Sequence, residues 1–123
     1  DVMVNLSYKP DAIENYFKDG HLHGVNIGYS FEGYINDQGE IVDQAVGSAG
    51  GIRDIQSQSS FFDQTFIVLC GDAVIDVDFS KALEFHRKNK AIATIVCQKV
   101  ALSEVHKYGV VETDSRASQV NTY

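Results

Sequence analysis

The chain has 123 residues, 44% hydrophobic and 22% charged, the balance of one globular domain that buries roughly two thirds of its unfolded surface. Seventeen Asp and Glu against ten Lys and Arg leave a net charge of −7, a surface that repels phosphate backbones and anionic lipid and so argues against a nucleic-acid-binding or membrane-surface module. No run approaches the ~20 apolar residues of a membrane helix, no stretch has signal-peptide character, and a single proline argues against disorder.

The chain opens on Asp1 rather than Met and runs straight into Val2–Leu6, an apolar run suited to a buried strand, so it is expected to be a piece of something longer. Pro10 suits the first turn of a helix, and Ile13, Tyr16 and Phe17 lie on one helical face, with Gly20 as a left-handed stop. Val25–Tyr29 reads as a second strand. Tyr34-Ile35 and Ile41-Val42 flank Asn36-Asp37-Gln38-Gly39, a turn sequence that predicts a hairpin. Ser48 can cap a helix from Ala49 towards Phe62. Phe66–Cys70 is the strongest strand, continuous and apolar as in a parallel sheet covered on both faces. Asp76 or Asp78 can cap a helix carrying Phe79, Ala82, Leu83 and His86 on one face, with Glu84 and Lys88 as an i,i+4 pair. Ala91–Val96 reads as another buried strand, Leu102–Lys107 as a loop or short turn, and Tyr108–Thr113 as a strand. Strands alternating with helices predict an α/β fold with a mainly parallel sheet and no internal repeat.

In such sheets ligands bind beyond the carboxyl ends of the strands. Asp72 lies at such an end, and Gly71 before it lets backbone pass close to a ligand. A carboxylate there can hold Mg²⁺, which takes few protein oxygens plus substrate phosphates; the plainer reading is a turn cap. Gly47-Ser48-Ala49-Gly50-Gly51 is a small-residue turn opening a helix, whose N–H groups can receive a phosphate, a carboxylate or a base edge. It is neither a P-loop nor a dinucleotide fingerprint, and an ordinary tight turn reads equally well. His21 and His23 suit a solvated loop better than a metal site, and His86 a packed histidine. Asp76 and Asp78 suit helix capping, although Asp76 can reach a metal through water. Cys70 and Cys97 sit in apolar runs and read as buried reduced thiols of a cytosolic protein, Cys70 in the core.

Taken in order, these pieces resemble the sugar-1-phosphate nucleotidyltransferases, such as glucose-1-phosphate thymidylyltransferases and mannose-1-phosphate guanylyltransferases. Val4–Tyr8 with Ile13–Gly20, Gly24–Ser30, Gly47–Ile52, Phe66–Asp72, Phe85–Arg87 with Ala93–Ile95, and Tyr108-Gly109-Val110-Val111-Glu112 match that family's catalytic domain in its order. Gly47–Ile52 is similar to its Gly-Thr-Ala-Gly-Ala loop, with Ser48 for the usual Thr. The resemblance implies a Rossmann-like α/β sheet with helices on both faces. It implies attack of a sugar-1-phosphate oxygen on the α-phosphate of a nucleoside triphosphate, with pyrophosphate leaving. On that reading Asp72 holds Mg²⁺ and is catalytic. Gly47, Ser48, Gly50, Gly51 and Gly71 serve the nucleotide, and Tyr108, Gly109 and Glu112 serve the sugar. The partners are NTP and sugar-1-phosphate, with no nucleic acid and no membrane, in a cytoplasmic enzyme.

Departures temper this. The family's N-terminal Gly-rich loop with its Arg and Lys, its Glu-Lys-Pro motif and its second metal-binding Asp are not in the sequence. The family's first strand, which lies between those matched by Val2–Leu6 and Phe66–Cys70, is missing too. Its loss is expected to leave two unpaired ladder edges. Another chain, a rearranged sheet, or the remainder of a parent protein then fills the gap, and the isolated chain is expected to be inactive. Tyr34–Val42 replaces a shorter family segment and reshapes the pocket entrance. The alternative is a non-catalytic regulatory or scaffold subunit of the same fold, and a homo-oligomer is compatible with either. A receiver-type signalling domain needs an acidic pair after the first strand, where Ser7-Tyr8-Lys9 stands instead.

Overall fold

A computed structural model describes residues 1–44, 46–113 and 120–122. They divide into two compact units, Asp1–Leu69 and Cys70–Tyr123.

In the first unit, β1 (Val2–Leu6) and β2 (Ile27–Phe31) pair in parallel, from Val2 opposite Ile27 to Leu6 opposite Phe31. Parallel neighbours need a crossover, and the helix α1 (Pro10–Phe17) supplies it, with Pro10 in the first turn as expected. The helix ends before Gly20. Lys18 takes φ 50° and donates its N–H to Glu14 O at 2.8 Å. Gly20, at φ 81°, begins a 3₁₀ turn over His21–His23 instead. A Cβ at Gly20 would stand 2.7 Å from Val25 O and 2.6 Å from Ile27 Cγ1, so a glycine is required there. The second strand starts two residues later than its composition suggests, because the Val25 N–H is taken by Gly20 O at 3.3 Å in the turn that precedes it.

The expected hairpin forms from β3 (Gly33–Ile35) and β4 (Ile41–Asp43). Its tip is tied by Asn36 Oδ1, which accepts from Gln38 N at 3.0 Å and Glu40 N at 2.8 Å. The next helix, α2 (Ser48–Ser59), is capped by Gly47 and not by Ser48. Gly47 has φ 75° and ψ 163°, a conformation only glycine adopts without strain, so the cap falls one residue early. The helix stops at Ser59, short of Phe62, where Gln56 turns back to accept from Phe62 N at 2.8 Å. Phe62 stacks on Phe66 at 4.1 Å. Among the described residues of this unit the buried apolar side chains are Leu6 in β1 and Ile55 in α2, 3% and 5% exposed.

Three expectations fail here. Phe66–Cys70 forms no strand: among the described residues no ladder joins it to β1 or to anything else, and Val68 is 63% exposed. Apolar composition provides faces to bury, but a strand exists only where a second backbone takes its N–H and C=O groups. Ala91–Val96 fails for the same reason. Cys70 and Cys97 are free, as expected, but exposed, because each follows an apolar run that has not become a covered strand.

In the second unit, α3 (Phe79–Asn89) is capped by Asp78, whose Oδ1 accepts from Lys81 N at 3.1 Å. The Glu84–Lys88 pair does not appear among the ion pairs of the described residues, whereas Asp78–Lys81 does, at 3.1 Å. His86 is half-buried and its Nδ1 lies 2.9 Å from Thr94 Oγ1, which ties the segment after α3 back to the helix. Leu102–Lys107 is a 3₁₀ helix. Of the expected strand Tyr108–Thr113 only the end pairs: β5 (Glu112–Thr113) runs antiparallel to β6 (Val120–Thr122). The parallel pair with its connecting helix, followed by further helices, makes the fold α/β.

Candidate functional site

Gly47, Ser48, Gly50 and Gly51 form the cap and first turn of α2. Gly50 N and Gly51 N donate to Gly47 O at 2.9 and 3.3 Å, so these two amides are occupied within the turn. The donors that the helix geometry leaves unused are the N–H groups of Ser48 and Ala49. The side chain of Ser48 lies outside what the structure describes.

Two glycines inside a helix cost it about 0.5–1 kcal/mol each relative to alanine, so their presence needs a steric reason. The surroundings supply one. A Cβ at Gly50 would stand 2.8 Å from Val46 Cβ. A Cβ at Gly51, which is buried, would collide with the Asn5 amide and come within 2.8 Å of Glu32 Oε1. Asn5 Nδ2 donates to Glu32 Oε1 across 27 residues of sequence. The turn is thus pressed between Val46 on one side and the Asn5–Glu32 pair on the other.

The same residues border an open cleft of about 120 Å³, whose walls include Asn5, Glu32, Gln44, Gly51, Asp54 and Gln58. Hydrogen-bonding groups dominate this set, and neither Lys nor Arg lines the cleft. Arg53 is turned to Asp54, Nη2 to Oδ1, at 3.0 Å. With the Glu32 and Asp54 carboxylates in its walls and no basic side chain among them, the cleft is unfavourable to a phosphate. Sequence reasoning missed Asn5, Glu32, Gln44, Asp54 and Gln58. One signal was present: Asn5 is the only polar residue of the strand Val-Met-Val-Asn-Leu.

Gly71 and Asp72 are the central residues of a turn closed by Ala73 N to Cys70 O at 3.2 Å. Asp72 is exposed, and among the described residues its carboxylate makes no hydrogen bond or ion pair. A Cβ at Gly71 would meet nothing within 4 Å, so the protein itself leaves open space over this turn. Tyr108 follows the 3₁₀ helix with its ring exposed, and Gly109 is equally open. Glu112 opens β5, and its side chain lies outside the described residues. Asp76 is exposed and caps nothing; Asp78 is the cap. Hydrogen bonds from Lys81, first from its backbone and then from its side chain, hold the Asp78 carboxyl below the usual carboxylate range. Tyr29 Oη donates to Lys18 O at 2.6 Å, and burial together with the Glu14 and Asp19 carboxylates pushes its phenol upward. His23 rests on Phe17, with ring centroids 5.3 Å apart, and is occupied with packing.

The donor set fits a magnesium ion in kind. Asp72 offers one hard, unengaged carboxylate, and Mg²⁺ is held by one or two such groups while phosphate oxygens and water complete its shell. Among the described residues no three His, Cys, Asp or Glu side chains converge into a closed protein cage. No helix of the described residues is long and apolar enough to cross a membrane.

Known proteins with similar sequences bear on the whole chain. A UTP-glucose-1-phosphate uridylyltransferase of Synechocystis is 53% identical over 113 residues, 92% of this chain and 29% of the relative. A mannose-1-phosphate guanyltransferase of Yarrowia lipolytica is 32% identical over 124 residues, 100% of this chain and 31% of the relative. A mannose-1-phosphate guanylyltransferase of Mycobacterium tuberculosis is 31% identical over 92% of this chain and 28% of its own length. The chain thus spans under a third of the curated relatives it matches. Residues 1–122 match the model of the nucleotidyl transferase family, and with its parallel β1–α1–β2 crossover and glycine turn the chain belongs to that family.

Proposed function

We propose that the protein carrying this chain transfers a nucleoside monophosphate from an NTP to a sugar-1-phosphate, releasing pyrophosphate and a nucleotide-sugar. The observation that supports this best is the family match across residues 1–122, joined by relatives named for that reaction on two different sugar phosphates. The chemistry is an in-line displacement: the sugar-phosphate oxygen forms a bond to the α-phosphorus as the bond to the pyrophosphate oxygen breaks. It asks of the protein mainly alignment and charge neutralisation.

In this reading the turn Gly47–Gly51 receives the base. The Ser48 and Ala49 N–H groups act as donors, and Gly50 and Gly51 let the turn pack close against Val46 and the Asn5–Glu32 pair, which sets where those donors stand. Gly71 lets the chain pass beside the phosphates, and Asp72 holds Mg²⁺, which supplies neutralisation of phosphate charge when bound. Tyr108, whose ring is exposed, Gly109 and Glu112 serve the sugar. The two free thiols suit a reducing compartment, so the protein works in the cytoplasm.

The test is pyrophosphate release from sugar-1-phosphates with UTP or GTP and Mg²⁺ by the full-length protein that carries this chain. Asp72→Asn keeps the shape of the turn and removes the charge, and kcat should fall by roughly a hundredfold or more. Full activity in Asp72→Asn refutes the metal assignment. Absence of turnover in the wild-type protein favours a non-catalytic subunit instead.

A further inference from the structure

Glu32 is the residue on which three elements of the first unit converge. Its N–H donates to Leu6 O at 2.8 Å at the end of β1, and its carbonyl accepts from Gln44 N at 3.1 Å at the base of the β3–β4 hairpin. Its carboxylate takes the Asn5 amide, and the backbone of Gly51 packs directly beneath that pair. Among the described residues neither side chain has another hydrogen-bond partner.

From this geometry we infer that Asn5 and Glu32 are positioning residues, a hydrogen-bonded brace that fixes the first turn of α2 at the height from which it meets the nucleotide. The inference rests on the nucleotide-transfer reading for its functional consequence, and on the contacts alone for its structural one. Gly51 can lie where it does only because it has no Cβ, and the turn stays there only while the Asn5 amide and the Glu32 carboxylate bear on it. Val46 blocks retreat on the Gly50 side. Without the pair, the turn can slide into the cleft, and the nucleotide must pay for ordering it. Affinity for the nucleotide then drops, while the chemistry of a bound, aligned complex does not change.

Two measurements test this on Asn5→Ala, Glu32→Ala, the conservative Glu32→Gln and the double variant Asn5→Ala/Glu32→Ala, each made in the full-length protein that carries this chain. The first is amide hydrogen exchange across 48–53. The second is steady-state kinetics, with KM for nucleotide and for sugar-1-phosphate separated from kcat. Loss of one hydrogen bond corresponds to roughly a five- to tenfold effect. Either alanine variant should speed exchange at 51–53 by about that factor and raise the nucleotide KM alike, with kcat and the sugar-phosphate KM within about twofold of wild type. Glu32→Gln retains an acceptor for Asn5 and should stay near wild type. The double variant should be no worse than either single, because the two groups act as one unit. Unchanged exchange in both alanine variants overturns the brace, and so do additive effects in the double. A Glu32→Gln variant with normal exchange but a nucleotide KM as poor as Glu32→Ala overturns it too, because Glu32 would then touch the nucleotide itself. If the wild-type protein transfers no nucleotide, the proposed function fails and the exchange arm, with its double-variant comparison, decides the brace by itself.

Discussion

Replacing Gly51 with alanine sets two effects of known size against each other. In a helix interior alanine is better than glycine by about 1 kcal/mol, so on propensity alone the variant is more stable. The structure opposes this. The new methyl group would stand 2.8 Å from Glu32 Oε1 and collide with the Asn5 amide, and neither neighbour can yield without loosening the hydrogen bond between them. Overpacking of this kind costs about 1–3 kcal/mol, and an exposed neutral-to-charged hydrogen bond adds about 0.5–1.5 kcal/mol. The contact terms win, for a net destabilisation of about 1–2 kcal/mol and a Tm lower by roughly 3–10 °C at this chain length. Urea unfolding followed by circular dichroism measures it. Gly71→Ala is the matched control: its methyl group meets nothing within 4 Å, so it should unfold within about 0.5 kcal/mol of wild type. Adding Asn5→Ala to Gly51→Ala makes room for the methyl group and should recover about 1 kcal/mol. A Gly51→Ala protein as stable as wild type, or more stable, refutes the close approach on which the account of the turn depends.

Other consequences are measurable on the same protein. Gly20→Ala combines a left-handed backbone with a carbonyl 2.7 Å from the new methyl group, and should cost about 2–4 kcal/mol in denaturant unfolding; a cost below about 1 kcal/mol would contradict the turn. The Asp78 carboxyl is held below the usual range in the folded state, so its contribution is present above about pH 4 and is lost as the pH falls through the lower folded value. Far-UV circular dichroism should show that acid loss of helicity in wild type and a weaker one in Asp78→Ala; identical acid profiles would remove the cap from the account. Both cysteines should react with a thiol reagent in the native protein at rates near those of free thiols, and protection of either would restore its place in a core.

What could be read in advance was local. Pro10 with the spacing of Ile13, Tyr16 and Phe17 marks α1, and the aspartates before Phe79, Asp76 or Asp78, mark α3, with Asp78 the one the structure uses. Asn36–Gly39 marks the hairpin tip, where the asparagine side chain closes the turn on its own neighbours. Each signal lies within a few residues of the structure it causes. The cap of α2 was displaced by one residue because a Ser side chain is visible as a cap and a glycine φ of 75° is not. Gly51 reads in the sequence only as part of a small-residue turn for the nucleotide, because the neighbours it packs against lie 46 and 19 positions away along the chain and are brought there by strand register.

The same distinction explains the failures. Phe66–Cys70 and Ala91–Val96 have the composition of covered parallel strands, yet neither is in a ladder, while Val2–Leu6, no more apolar, is. The difference lies in what stands opposite. Val2–Leu6 finds Ile27–Phe31 through a crossover whose helix ends and 3₁₀ turn are set by Pro10, Lys18 and Gly20, so local chemistry delivers its partner into register. Phe66–Cys70 has no such delivery among the described residues. Its unpaired N–H and C=O groups remain in solvent, where they cost little, and its side chains stay half-exposed, where they gain little. Apolar sequence sets how much a strand has to gain from pairing; only a partner delivered in register decides whether the strand exists.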